Sequence, residues 1–171
     1  MYLVVIILAL VAVLLYRRTA ALAVRSAKDR DAVIKSLREL QAAFPTLSMK
    51  LDEHPRFDLL ATFPRQPGLT FDISVEMEGD VLHLTVGQHL VLELWTHNHP
   101  ERITEAIDDV RGLLAGGYRV VLYRQGETVV GAELQTPTNW EVVGAWWEFN
   151  QAAELPRQQF STQVLQNATS P

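Results

Sequence analysis

The first eighteen residues form one apolar run that ends in two basic side chains. The first sixteen carry no charged side chain, and Arg17 and Arg18 follow them. A helix of the sixteen uncharged residues measures about 24 Å, which is shorter than a hydrocarbon core about 30 Å thick. Arginine side chains that extend to the interface would make up the difference. Tyr2 and Tyr16 suit the two interfaces. The pattern predicts a single-pass anchor over 1–18 that binds membrane lipid.

Two other interpretations of this run stay open. A cleaved signal peptide has basic residues before its apolar core, whereas here they follow it, although Ala21, Leu22 and Ala23 form a small-residue cleavage site. A buried helix of a soluble domain shows a polar stripe, and this run has none. If the run is an anchor, its basic C-terminal flank predicts that the domain faces the cytoplasm, at the inner membrane in a bacterium.

A helical period follows the anchor. Apolar residues recur at three- and four-residue spacing, and a proline stops the pattern. The pattern predicts a helical stalk and a first domain helix over 19–45, before an α+β domain over 46–150. The apolar positions are Val33, Ile34, Leu37, Leu40 and Phe44, and the proline is Pro45.

The period then changes to two. Three prolines in 46–68 favour a loop, in which FDLLATF is a possible short strand. The stretches LTFDISVEME, VLHLTVG and LVLELW alternate apolar and polar positions, and Gly79-Asp80 and Gly87-Gln88 separate them. These stretches predict an antiparallel meander of three strands.

The second half of the chain completes an α+β layout. The stretch PERITEAIDDVRGLLAGG predicts a helix, with Asn98 or His99 as its cap, and YRVVLYR and TVVGAELQ predict two strands. The stretch 139–155 fits a helix or a strand equally well, and 151–171 is a tail with one possible edge strand. The element order α-βββ-α-ββ predicts a single antiparallel sheet with helices on one face.

Composition and charge narrow the classes of function. The formal net charge is −5 and there are no cysteines among the 171 residues. Acidic balance disfavours a nucleic-acid partner, because neutralising phosphates requires clustered Lys and Arg. The absence of cysteine excludes disulfides and thiolate chemistry. Nucleophile and phosphate-binding motifs are also missing from the sequence, so we expect no cofactor.

A histidine pair and a set of tryptophans are the candidate functional residues. His97 and His99 form an H-x-H pair that could bind a metal ion, although polar residues are also common at the start of a helix. Trp140, Trp146 and Trp147 are candidates for binding a protein partner, because tryptophan is enriched at interaction hot spots.

Three functions follow from these observations. The first is a membrane-anchored module that binds a protein partner. The second is a small metal-dependent enzyme that uses His97 and His99. The third comes from the predicted element order, which resembles that of type III secretion chaperones and implies a dimeric adaptor for secretion or assembly.

Overall fold

The computed structural model describes residues 28–54, 57–96, 99–148 and 156–167. Over these residues the chain has an α+β fold with two α-helices and nine strands, and the strands form two antiparallel sheets. Helix α1 covers 28–43. The remaining elements are β1 (Lys50–His54), β2 (Phe57–Phe63), β3 (Ile73–Glu78), β4 (Val81–Val86), β5 (Leu90–Trp95), α2 (Glu101–Leu114), β6 (Arg119–Gln125), β7 (Thr128–Gln135), β8 (Val142–Trp147) and β9 (Ser161–Gln166).

The first sheet is a five-stranded meander with the order β1-β2-β3-β4-β5. Its last three strands lie where the period of two predicts them, and Ile73, Val75 and Met77 on β3 are fully buried. The possible short strand FDLLATF is β2, but the part of 46–68 predicted as loop also contains strand β1, so the loop prediction was wrong there. The prolines favoured a loop in the prediction, but proline is compatible with a strand that ends before it. Pro64 directly follows β2 and interrupts no strand.

The second sheet has the order β8-β7-β6-β9, so the prediction of a single sheet was also wrong. Strand β6 pairs with β7 and β9 and not with β5. In the sequence, α2 therefore connects the last strand of the first sheet to the first strand of the second. The ambiguous stretch contains strand β8, and the possible edge strand near the C-terminus is β9.

One hydrophobic core joins the two sheets and the two helices. Helix α1 contributes Val33, Leu37 and Leu40, three of the positions that its spacing predicts, and α2 buries the apolar face of an amphipathic helix. The core therefore depends on elements from both halves of the chain.

The predicted anchor over 1–18, with Tyr2, Tyr16, Arg17 and Arg18, lies outside the described residues. Within the described ranges, the structure has no helix that is both long enough and apolar enough to cross a membrane.

Candidate binding groove

A groove of about 610 Å³ lies where the edges of the two sheets approach each other beside α2. Strand β5 ends the first sheet and strand β8 ends the second, and each pairs with a single neighbour. We call this feature the edge groove, and it is lined by 91–94 of β5, 143–146 of β8, and Arg102, Glu105 and Asp109 of α2.

A glycine sets the width of the edge groove. A Cβ atom at Gly144 would lie 2.6 Å from the Cδ1 atom of Leu92, closer than real contacts allow. The leucine side chain therefore rests against the bare backbone of β8. This contact brings the two strands together without a ladder of hydrogen bonds between them.

Exposed apolar side chains gather along these two edges. Among the described residues, six large hydrophobic side chains are exposed, and five of them lie on β5, on β8 or in the turn before β8. These five are Val91 (41% exposed), Trp95 (59%), Trp140 (37%), Val142 (46%) and Val143 (48%). Two of these side chains, Val91 and Val143, line the groove, so each of its strand walls offers an exposed apolar contact of the kind found at interaction sites.

The helix side of the groove is acidic. Arg102 and Glu105 form an ion pair with a distance of 2.7 Å between Nη1 and Oε2. Asp109, one helical turn further on, has no ion-pair partner in the described part of the chain. Burial, followed by the charges of Glu105 and Asp108, raises the pKa of Asp109 to about 6.

The structure separates the three candidate tryptophans. Trp146 lines the edge groove and packs against the core. Trp147, the next residue of β8, points to the opposite face of the second sheet. Trp140 lies in the turn before β8, with its ring 3.7 Å from the guanidinium carbon of Arg119. Only Trp146 lines the groove itself.

Trp147 belongs to a polar and aromatic cluster on the outer face of the second sheet. Its ring lies over Gly131, where a Cβ atom would be 2.2 Å from Cε3 of the ring, and its centroid is 5.0 Å from that of Tyr123. The guanidinium carbon of Arg157 lies 4.1 Å from the Trp147 ring centroid.

Glu133 is the polar centre of this cluster and is only 4% exposed. Tyr123 donates its hydroxyl to Oε2 over 2.7 Å, Gln135 donates to the same oxygen, and Arg157 donates Nε to Oε1 over 3.1 Å. Burial and the neighbouring carboxylate raise the pKa of Tyr123 to about 12. Because each carboxylate oxygen is hydrogen-bonded, this cluster stabilises the sheet and leaves no free acceptor for a ligand.

The histidine pair is only partly described. The Nδ1 atom of His99 lies 2.8 Å from Oε1 of Glu101, and both side chains are exposed. A backbone hydrogen bond and then the bond to His99 lower the pKa of Glu101. His97 lies outside the described residues, and within them no group of three or more metal-binding side chains occurs. The metal site remains a prediction.

The start of α2 differs from the predicted cap. The N-cap residue is Pro100, and no side chain caps the helix by a hydrogen bond. His99 precedes this position and bonds to Glu101 instead.

Sequence reasoning missed Asp109 as a site residue. Its sequence neighbours Glu105 and Asp108 are also acidic, so the three predict an ordinary solvated helix face. What sets Asp109 apart is that it lines the groove beside β5 and β8, and this requires the tertiary structure.

Comparison with known proteins gives no match, whether with protein-family models, with curated proteins or with solved structures.

Proposed function

We propose that this protein is a membrane-anchored interaction module that binds an extended segment of a partner protein in the edge groove. The observation that carries the proposal is the concentration of exposed apolar side chains on two neighbouring free strand edges. Soluble proteins normally protect such edges with charges, proline or a covering element, because the unpaired backbone groups bind other strands.

The chemistry of the edges suits a peptide in extended conformation. Strand β8 has the sequence VVGAWW and carries no charged side chain or proline. Its unpaired main-chain groups can hydrogen-bond to an added segment, and the apolar positions on both walls can accept alternate side chains of that segment. Trp146 offers a large aromatic contact on the lining of the groove.

The proposed anchor would hold the edge groove close to partners in the same membrane. Helix α1 is described from residue 28, ten residues beyond Arg18. A domain held at the cytoplasmic face by residues 1–18 would meet partners that share the membrane at a high effective concentration. Moderate affinity in the groove would then be enough for stable association.

The test is site-specific photo-crosslinking of the full-length protein in its native cells. A benzoylphenylalanine residue replaces Val143 on one wall, Val91 on the other wall, or Thr162 on the exposed strand β9 as the matched control. We expect positions 143 and 91 to give the same discrete adduct after irradiation and position 162 to give none. Identical patterns at all three positions, or no adduct at either wall, would contradict the proposal.

A further inference from the structure

We infer that the segment bound in the edge groove carries an arginine or lysine side chain that forms an ion pair with Asp109. This inference rests on the proposed function and adds the chemical class of the partner segment. The inferred partner segment is an extended stretch of apolar residues with one basic position.

The charges that line the groove favour a cation. Glu93 comes from β5, Glu105 and Asp109 come from α2, and Arg102 is the only basic side chain among the described lining residues. Because Arg102 already pairs with Glu105, two carboxylates remain without a countercharge in the lining. Strand β8 contributes no ionisable side chain to the lining. An approaching basic side chain therefore meets a negative potential.

Asp109 is the carboxylate in the best position to receive that cation. It is half-buried on the flank of α2 that faces the groove, whereas Glu93 is exposed and lies 3.9 Å from His83. A partly buried ion pair gains more than a fully solvated one, because the surrounding water screens it less. The apolar lining on β5 and β8 would hold the rest of the segment in place.

The groups that face Asp109 make this pairing dependent on pH. They are Glu105, Asp108 and Arg102 on its own helix, Tyr118 in the segment after it, and Glu93 on β5. Because the pKa of Asp109 is about 6 in the free protein, the ionised form dominates at pH 7.5 and is the minor form at pH 5. Affinity for a basic segment should therefore fall as the pH drops through 6, by up to about tenfold at pH 5, where about one tenth of Asp109 is ionised.

The test selects peptides from a random hexapeptide phage library on the full-length protein in lipid nanodiscs, with empty nanodiscs as the counter-selection. Three forms are compared: the natural protein, Asp109→Asn, and Asp108→Asn as the matched control. Asp108 is exposed and already paired with Arg111. We expect the natural protein and Asp108→Asn to enrich apolar peptides with Arg or Lys at one position, and Asp109→Asn to lose that preference. The affinity of the best peptide should fall at least fivefold from pH 7.5 to pH 5.

Several outcomes would overturn the inference. Equal enrichment of basic peptides by Asp109→Asn would show that another group attracts the charge. Enrichment of neutral apolar peptides would reject the basic position and leave the groove as the binding site. Tighter binding of a synthetic peptide of residues 16–27 would point to this chain's own basic segment as the occupant. If no peptide is enriched and crosslinking at 143 also fails, both the inference and the proposed function fail.

Discussion

The position of Asp109 has a consequence for stability as well as for binding. Its pKa rises from 3.8 to about 6 on folding because burial and two nearby carboxylates disfavour the charged form. The folded chain therefore holds this proton more tightly than the unfolded chain. Stability falls as pH rises through the interval from about 4 to 6, and the loss is complete above pH 6.

Removing this carboxylate should stabilise the domain at neutral pH. We expect Asp109→Asn to raise the free energy of unfolding by about 1 kcal/mol at pH 7.5, after allowance for partial solvent screening, and to change it little below pH 4. Urea denaturation at both pH values measures the difference. Asp108→Asn is the control, and it should show no such gain. A destabilised Asp109→Asn at pH 7.5 would mean that the carboxylate has a stabilising partner.

The hydroxyl of Tyr123 should stabilise the second sheet through Glu133. Tyr123→Phe removes one hydrogen bond from a buried carboxylate that keeps Arg157 and Gln135 as partners. We expect a loss of about 1–2 kcal/mol in the free energy of unfolding. Tyr118→Phe is the matched control, because the described residues give its hydroxyl no hydrogen-bond partner, and it should cost little. Equal effects of the two changes would show that the bond from Tyr123 to Glu133 adds nothing beyond the general cost of removing a tyrosine hydroxyl.

At the scale of single elements, Gly112 shows how tertiary packing overrides helix propensity. Glycine within a helix is usually less stable than alanine by about 0.5–1 kcal/mol. Here a Cβ atom would lie 2.4 Å from Cδ1 of Tyr118, whose ring covers the helix at this point. We expect Gly112→Ala to destabilise the protein by about 1–2 kcal/mol, because the ring must move.

A double-mutant cycle separates the clash with the Tyr118 ring from the difference in helix propensity between glycine and alanine. With Tyr118→Ala in the background the clash is gone, so Gly112→Ala should become neutral or stabilising by up to about 1 kcal/mol. Thermal or urea unfolding of the four proteins gives the coupling energy. A cost for Gly112→Ala that is the same in both backgrounds would show that the ring is not its cause.

Local patterns predicted most of the elements but not how they pair. The period of two in 69–94 and the three- and four-residue spacing of α1 depend only on near neighbours, so both are readable from sequence. The pairing of β6 with β9 joins segments about forty residues apart, and no local signal encodes it. The single-sheet prediction failed for this reason.

The same distinction applies to the candidate site. Strand β8 was ambiguous because VVGAWW does not alternate: Trp146 packs inward and Trp147 stacks on the outer face, so both sides of the strand are apolar. Tryptophans could be found as candidates from their type alone. Asp109 could not, because its burial depends on how β5 and β8 lie beside α2.

At the scale of the whole molecule, the proposed function needs the domain to stay folded independently of its membrane attachment. Side chains from α1 to β7 form one continuous hydrophobic core within the described residues. We therefore expect a chain lacking residues 2–18 to move from the membrane fraction to the soluble fraction and to keep the thermal midpoint of the full-length protein in detergent.

The charges beside the proposed anchor predict its orientation, which can be measured in a bacterial host. Residues 1–18 end with Arg17 and Arg18, and basic flanks favour the cytoplasmic side. A reporter that is active only in the cytoplasm, fused after Pro171, should be active, and the mature protein should retain Met1.

Glutamate at both arginine positions should lower reporter activity, because it removes the positive flank, whereas glutamate at Arg65, an exposed residue of the domain, should not. A mature chain that begins near Val24, or a reporter active only outside, would instead identify an exported domain. The partner of the edge groove would then have to be sought beyond the membrane.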